Sequence, residues 1–232
     1  MRHFLTALAF WGAIGVTPVA AQDNKVVVEL YTSQGCSSCP PADALLHDLA
    51  GRSDVIALAL HVDYWDYLGW KDNFGRPAFT ARQHAYARAA NATTVYTPQM
   101  VIGGKDHVIG SKAMEIMDRV AQHRNVADLI AITLTRNGDA VLINAQSNAG
   151  LLGNLIVQVV RYTPEETVAI KRGENAGKTI SYSNIVYRWD SVGRWDGSHP
   201  LAITASAAGA DPVVVIIQAD QHGPILAAAE IR

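Results

Sequence analysis

The spacing of apolar positions changes character near residue 125. Before that point, short β-branched runs exchange with stretches of helical spacing. "KVVVELYTS" reads as a buried strand. "PPADALLHDLA" then sets Ala44, Leu45, Leu46 and Leu49 at helical spacing and closes at Gly51. "DVIALALHVDYW" is a second apolar strand, and "PAFTARQHAYARAANA" a second helix opened by Pro77. "TPQMVIGGKDHVIGS" reads as two strands about a tight turn at Gly103-Gly104. "SKAMEIMDRVAQHR" is a third helix, with Ser111 as its N-cap. The order is β-α-β-α-β-β-α. It suits a mixed sheet whose first two strands are parallel and joined by a crossover helix.

Beyond residue 125 a period of two takes over. "ADLIAITLTRNGDAVLINAQ" forms two alternating strands around Asn137-Gly138, a hairpin signal. "NLIVQVVRYT", "TVAIKRG", "TISYSNIVYRW", "LAITASA", "PVVVIIQA" and "PILAAAEI" follow, punctuated by Gly, Asn, Asp and Pro. The pattern predicts an all-β unit, most simply a sandwich.

The chain start adds a compartment. Arg2 and His3 precede the apolar run "FLTALAFWGAIGV", and Val19 and Ala21 are small residues at the −3 and −1 positions of a cleavage site. Residues 1–21 read as a secretory signal peptide. The run is short of the roughly 20 apolar residues that span a bilayer, and the mature chain is expected to have no membrane span. The expected domains are therefore 22–124 and 125–232, in a secreted or periplasmic bacterial protein. A formal net charge of −2 lacks the basic face that a nucleic-acid partner needs.

Export into an oxidising compartment gives weight to the chain's two cysteines, Cys36 and Cys39, in "YTSQGCSSCPPADALL". A structural staple is one reading, but closing so short a loop stabilises by only about 2 kcal/mol. Copper is another, because two thiolates with a histidine suit Cu(I); His61, His84 and His107 are the candidates. Redox exchange fits best. The pair sits where a strand ends and a helix begins, and the positive end of a helix favours thiolate. Cys36 is expected to be the exposed nucleophile and Cys39 the buried resolving thiol. Pro40 and Pro41 suit a first helical turn, which puts Cys39 at the cap and leaves open which thiol is the more acidic. No organic cofactor is expected. The expected partner is a periplasmic or extracellular thiol/disulfide protein, or a small thiol. A non-catalytic scaffold with a permanent disulfide is the remaining alternative.

A strand, Cys-x-x-Cys at a helix start, then β-α and a proline-led hairpin resembles the thioredoxin fold over residues 25–124. The resemblance implies an α/β thioredoxin-like domain followed by an all-β, sandwich-like domain. It implies a cis bond at Thr97-Pro98 facing the cysteines, with the Thr97 backbone pairing with a substrate chain. The stretches "VVELYTSQGCSSCPPADALL", "HVDYWDYLGWKDNF", "PAFTARQHAYA", "VYTPQMVIGG" and "IKRGENAGKTISYSNIV" are similar to a family of bacterial secreted proteins known only as a domain of unknown function. That family implies no substrate.

Parallel strand ends gather Cys36, "HVDYWDYLGW" and Pro98 at one sheet edge. Trp65 and its aromatic neighbours would wall a groove there, or fill a seam between domains. Asp63 or His61 would accept the proton of the resolving thiol, although a carboxylate at a strand end is often a turn cap. "KRGENAGKTISY" would cap the redox edge, read a ligand or form a solvated turn. A glycine-rich phosphate loop and a Gly-x-Ser-x-Gly elbow are both missing from the sequence.

Overall fold

Val26–Thr32 form strand β1, buried on both faces as its apolar run requires. In this computed structural model, residues 25–125, 129–150 and 152–232 are described; the expected signal peptide lies outside them. Helix α1 (Pro40–Ala50) follows, with Pro40 and Pro41 in its first turn. There a missing N–H leaves no hydrogen bond unmade. Strand β2 (Val55–His61) is again wholly buried. Helix α2 (Pro77–Ala89), strands β3 (Gln99–Ile102) and β4 (Asp106–Ile109), and helix α3 (Ala113–Arg124) come next. Lys112, not Ser111, stands at the N-cap of α3, and no side chain caps it. The remaining strands are β5 (Ile130–Asn137), β6 (Ala140–Ser147), β7 (Leu155–Ala169), β8 (Thr179–Trp195), β9 (Leu201–Ser206), β10 (Val213–Ala219) and β11 (Ile225–Ile231).

These strands correct the expected fold class. One eight-stranded mixed sheet runs β11-β10-β7-β8-β2-β1-β3-β4, and β5-β6-β9 form a separate three-stranded sheet. Strand accounts for 44% and helix for 19% of the described residues, with three α-helices among them. The molecule is therefore not a thioredoxin-like α/β domain followed by a sandwich. Strands assigned to the sandwich enter the same sheet as β1 and β2, and the join is made where Ala59 of β2 pairs in parallel with Ile185 of β8. Alternation in a sequence tells which face a residue occupies. It does not tell which strand lies alongside, and that is where the expectation failed.

Alternating residues assign the layers. Val214 and Ile216 of β10 join Val27, Tyr31, Leu58 and Leu60 in the core beneath Phe79 and Tyr86 of α2. Val26, Val28 and Leu30 face the other way, packing with Leu46 and Leu49 of α1 and Ile116 and Val120 of α3. On that second face, Val213, Val215 and Ile217 pack against Ile132, Leu134 and Ile143 of the small sheet. Helix α2 thus covers one face, while α1, α3 and the small sheet share the other.

A buried polar cluster lies inside the α2 layer. Arg82 makes a bidentate pair with Glu29, 2.7 Å from Nε and 2.9 Å from Nη2. Tyr31 and Tyr86 donate to the same carboxylate. The guanidinium also donates to Gln158 and Gln218 and stacks 3.8 Å from the Trp189 ring centroid. Burial opposes its charge, but Glu29 prevails and holds Arg82 firmly protonated.

The β7–β8 pair reaches beyond this core as a two-stranded ribbon. "RYTPEETV" reads as a strand break at Pro164, yet β7 continues through it. Thr163 pairs with Ile185 and Glu165 with Ser183. The residue between those partners, Asn184, takes a positive φ of 50° and turns its Nδ2 to the carbonyl of Ala57 in β2. Pro164 therefore faces no lost ladder partner. Further out, Ser183 hydrogen-bonds His47 of α1, and the ribbon's tip, residues 170–178, arrives over the loop before α1.

Candidate functional site

Cys36 and Cys39 form a disulfide, with Cα atoms 5.4 Å apart. Strand β1 ends at Thr32, and the chain turns through Ser33–Gly35 to Cys36. Cys39 then caps α1, its carbonyl accepting from the N–H groups of Ala42 and Asp43. Cys36 is 4% exposed and Cys39 fully buried. Cys36 is the more accessible sulfur, but far less open than the sequence suggests. The Ser38 hydroxyl lies 3.5 Å from its Sγ.

Ring and backbone groups surround the pair on the sheet edge. The Thr97-Pro98 peptide is cis. Pro98 accepts from the Gly110 N–H at 2.9 Å. A Cβ on Gly110 would stand 3.0 Å from both Pro98 Cβ and Ala42 Cβ, so the lack of a side chain lets Pro98 lie against α1. Trp65 donates its indole N–H to Thr97 Oγ1 at 2.7 Å. Its Cβ would be 3.2 Å from a Cβ on Gly35, one residue before Cys36. Trp65, Thr97 and Pro98 therefore adjoin the cysteine loop and the start of α1. Asp63 is held elsewhere: its carboxylate accepts from Thr80 Oγ1 of α2 at 2.6 Å.

Three buried polar groups, Asp43, His61 and Asp72, cluster about the ends of β1 and β2 and the first turn of α1. Asp43 belongs to the turn after Cys39, and helical side chains lean towards the preceding turn. One carboxyl oxygen accepts from Thr32 Oγ1 at 2.8 Å; the other is buried without a partner. Burial pushes the Asp43 carboxyl up to about 7, even though the nearby His61 imidazole and the Thr32 hydrogen bond pull it down. His61 is fully buried, its Nδ1 2.7 Å from Asp72 and its Nε2 without a partner. Burial works against the charge of Asp72 too. His61 and the backbone N–H groups of Gln34 and Phe74 outweigh it and hold that carboxyl below its ordinary value. Native interiors rarely leave such atoms unmatched, and an exchangeable proton is one reason to do so.

The ribbon tip closes the site from above. Asn175, 1% exposed, donates both amide hydrogens, one to Gln34 O and one to Cys36 O, each at 2.9 Å. Lys178 Nζ holds the Asn175 carbonyl at 2.8 Å, and Glu174 accepts from the Ser37 N–H at 3.3 Å. Asn175→Ala is expected to destabilise the oxidised protein by about 2 kcal/mol, because two backbone acceptors lose their donor; urea denaturation with the disulfide intact measures this. An unchanged midpoint would mean that the loop holds itself.

Asp43 and Asp72 escaped the sequence reading. An acidic residue within the apolar helical run gave a signal for Asp43; for Asp72 there was none. Of the candidate copper histidines, His61 is buried against Asp72, His84 is exposed on α2, and His107 stands in β4 beside Gln99. Among the described residues, no cluster of three or more His, Cys, Asp or Glu side chains is arranged to hold a metal ion. No described helix is long and apolar enough to cross a membrane. Two surface clefts, of about 380 and 350 Å³, lie around Trp195 and around Arg82–Trp189; neither is lined by a cysteine.

Known structures share this architecture. A protein from Agrobacterium tumefaciens, solved by X-ray crystallography, is 35% identical, with a TM-score of 0.78 over 91% of this chain and 96% of its own. HBP35 of Porphyromonas gingivalis is 13% identical, with a TM-score of 0.61 over 90% of this chain and 75% of its own; at that identity the likeness is one of fold alone. No curated protein matches significantly. The model of a family described as "Protein of unknown function (DUF1223)" matches residues 27–218, nearly the whole described length, and the chain belongs to that family.

Proposed function

We propose that this protein is an exported thiol–disulfide oxidoreductase working through Cys36 and Cys39. The observation that carries the reading is the disulfide at the start of α1, one helical turn from the buried Asp43 carboxyl, which burial pushes up to about 7. A bridge across so short a loop contributes little as a staple. The disulfide is compatible with export, and the N-terminal sequence supplies the reason to expect it.

From the oxidised form, a substrate thiolate attacks Cys36 Sγ, the more exposed sulfur. The Cys36–Cys39 bond breaks and a mixed disulfide forms. Cys39 leaves as a thiolate and takes the proton of Asp43. A second substrate thiolate then attacks the substrate sulfur of the mixed disulfide. The substrate departs as a disulfide, and Cys36 is released as thiolate. Two electrons pass from substrate to protein; the reverse sequence reduces a substrate disulfide. His61, oriented through Nδ1 by Asp72, acts on the Asp43 carboxyl through its charge alone and draws its pKa down. No backbone hydrogen bond within the chain engages Thr97 among the described residues. Its N–H and carbonyl are free to pair with an extended substrate beside Pro98, and Trp65 supports them through Thr97 Oγ1.

The test is the midpoint potential of the pair, by equilibration in glutathione buffers. A value between roughly −120 and −270 mV falls among working exchange proteins, and Cys39→Ser should then trap substrates on Cys36. A value below about −300 mV is that of a structural disulfide. It would replace this reading with the scaffold.

A further inference from the structure

The ribbon tip touches the reactive loop at two points of opposite consequence. Asn175 bonds only backbone carbonyls, Gln34 O and Cys36 O, and so fixes the loop's path. Glu174 instead takes the N–H of Ser37, the residue directly after Cys36. Ser37 lies in the turn before α1; the helix opens on Pro40 and Pro41, which carry no N–H, so the N–H groups of that turn are the local backbone donors that can stabilise a Cys36 thiolate. A carboxylate occupying one of them removes a donor and brings a negative charge close to the sulfur.

The geometry points to Glu174 as a positioning residue that makes the Cys36 thiol less acidic, by engaging the Ser37 N–H from the tip of the β7–β8 ribbon. This deepens the exchange reading but concerns a property of the reduced thiol that can be measured without it. Other groups bear on the same sulfur. Lys178 stands behind Asn175, Asp72 binds both the Gln34 N–H and His61, and Asp43 lies in the first turn of α1 after Cys39. The Ser38 hydroxyl, at 3.5 Å, is a remaining donor to the sulfur. Glu174 is the one carboxylate hydrogen-bonded to the backbone of the Ser37-Ser38 dipeptide among the described residues. Its neighbour Asn175 is held too firmly for the tip to be a free-swinging loop.

Because Glu174 is exposed, its effect is that of a surface charge. Glu174→Gln is expected to lower the Cys36 pKa by about half a unit, and the difference should shrink in 1 M salt. The experiment reduces the full mature protein with a phosphine, removes it, and follows thiol alkylation and thiolate absorbance against pH. Glu174→Ala should act in the same direction. Glu166→Gln, an equal charge change in the outer part of β7, should not move the curve. A wild-type pKa in both Glu174 variants, or an equal shift in Glu166→Gln, overturns the proposal. The glutathione titration on the same samples judges the exchange reading separately. A potential below about −300 mV with a Glu174-dependent pKa would sink that reading and leave this one standing.

Discussion

Arg82→Ala is expected to destabilise the protein by about 3–5 kcal/mol, the usual penalty for leaving a buried charge without its partner. Glu29 is wholly buried in the middle of β1, and among the described residues Arg82 supplies its only positive charge within hydrogen-bonding distance. The loss is not local. Through Arg82, α2 is tied to β1 by Glu29, to β7 by Gln158 and to β10 by Gln218. Those strands come from both ends of the chain. Chemical denaturation of the variant checks the figure. A companion, Glu29→Leu with Arg82→Met, should cost less than the single change, because no lone charge remains. A loss under 1 kcal/mol in Arg82→Ala would mean that Tyr31 and Tyr86 satisfy Glu29 unaided.

Asp43→Asn should do the opposite to stability while harming exchange. The Asp43 carboxyl titrates near 7 in the folded protein, against 3.8 for the free group. Below pH 4 it is protonated in folded and unfolded chains alike, and no penalty arises. Between pH 4 and 7 the unfolded chain gives up its proton first, so stability falls as pH rises. Above pH 7 the full penalty, on the order of 4 kcal/mol, is present. Asparagine keeps the shape and an acceptor for Thr32 but never ionises. The variant should therefore unfold like the wild type at pH 4 and be markedly more stable at pH 8. Exchange at neutral pH should slow by about a hundredfold, the range of a lost proton-transfer group. Equal stabilities at pH 4 and pH 8 would show that Asp43 ionises without hindrance.

The sequence made the local elements legible because each carried its own period. β1 and β2 read as apolar runs, α1 and α2 by their spacing and leading prolines, and the β5–β6 hairpin by Asn137-Gly138. The cysteine pair and Pro98 were equally visible, since a proline or a Cys-x-x-Cys spacing is a local fact. What failed was everything that depends on a distant partner. The parallel contact of Ala59 with Ile185 has no local signature, so one continuous sheet looked like two units. Pro164 read as a strand end because the left-handed Asn184 opposite it, which bonds β2 instead, lies twenty residues away. The "KRGENAGK" loop looked as much like a solvated turn as a cap. Only the ribbon's length decides that Asn175 lands on Cys36.

That ribbon has a consequence for how the protein comes into being. Ile185 takes its place beside β2 about 125 residues after Ala59 has been made, and pairings of such span form late and slowly. A chain that emerges N-terminus first presents both sulfurs long before Asn175 and Glu174 exist to cover them. During that interval β2 offers a bare strand edge, the kind of surface on which other chains add. Maturation is therefore the stage at which this protein is most exposed to stray disulfides and to aggregation. Both hazards end with the same event, the docking of β8.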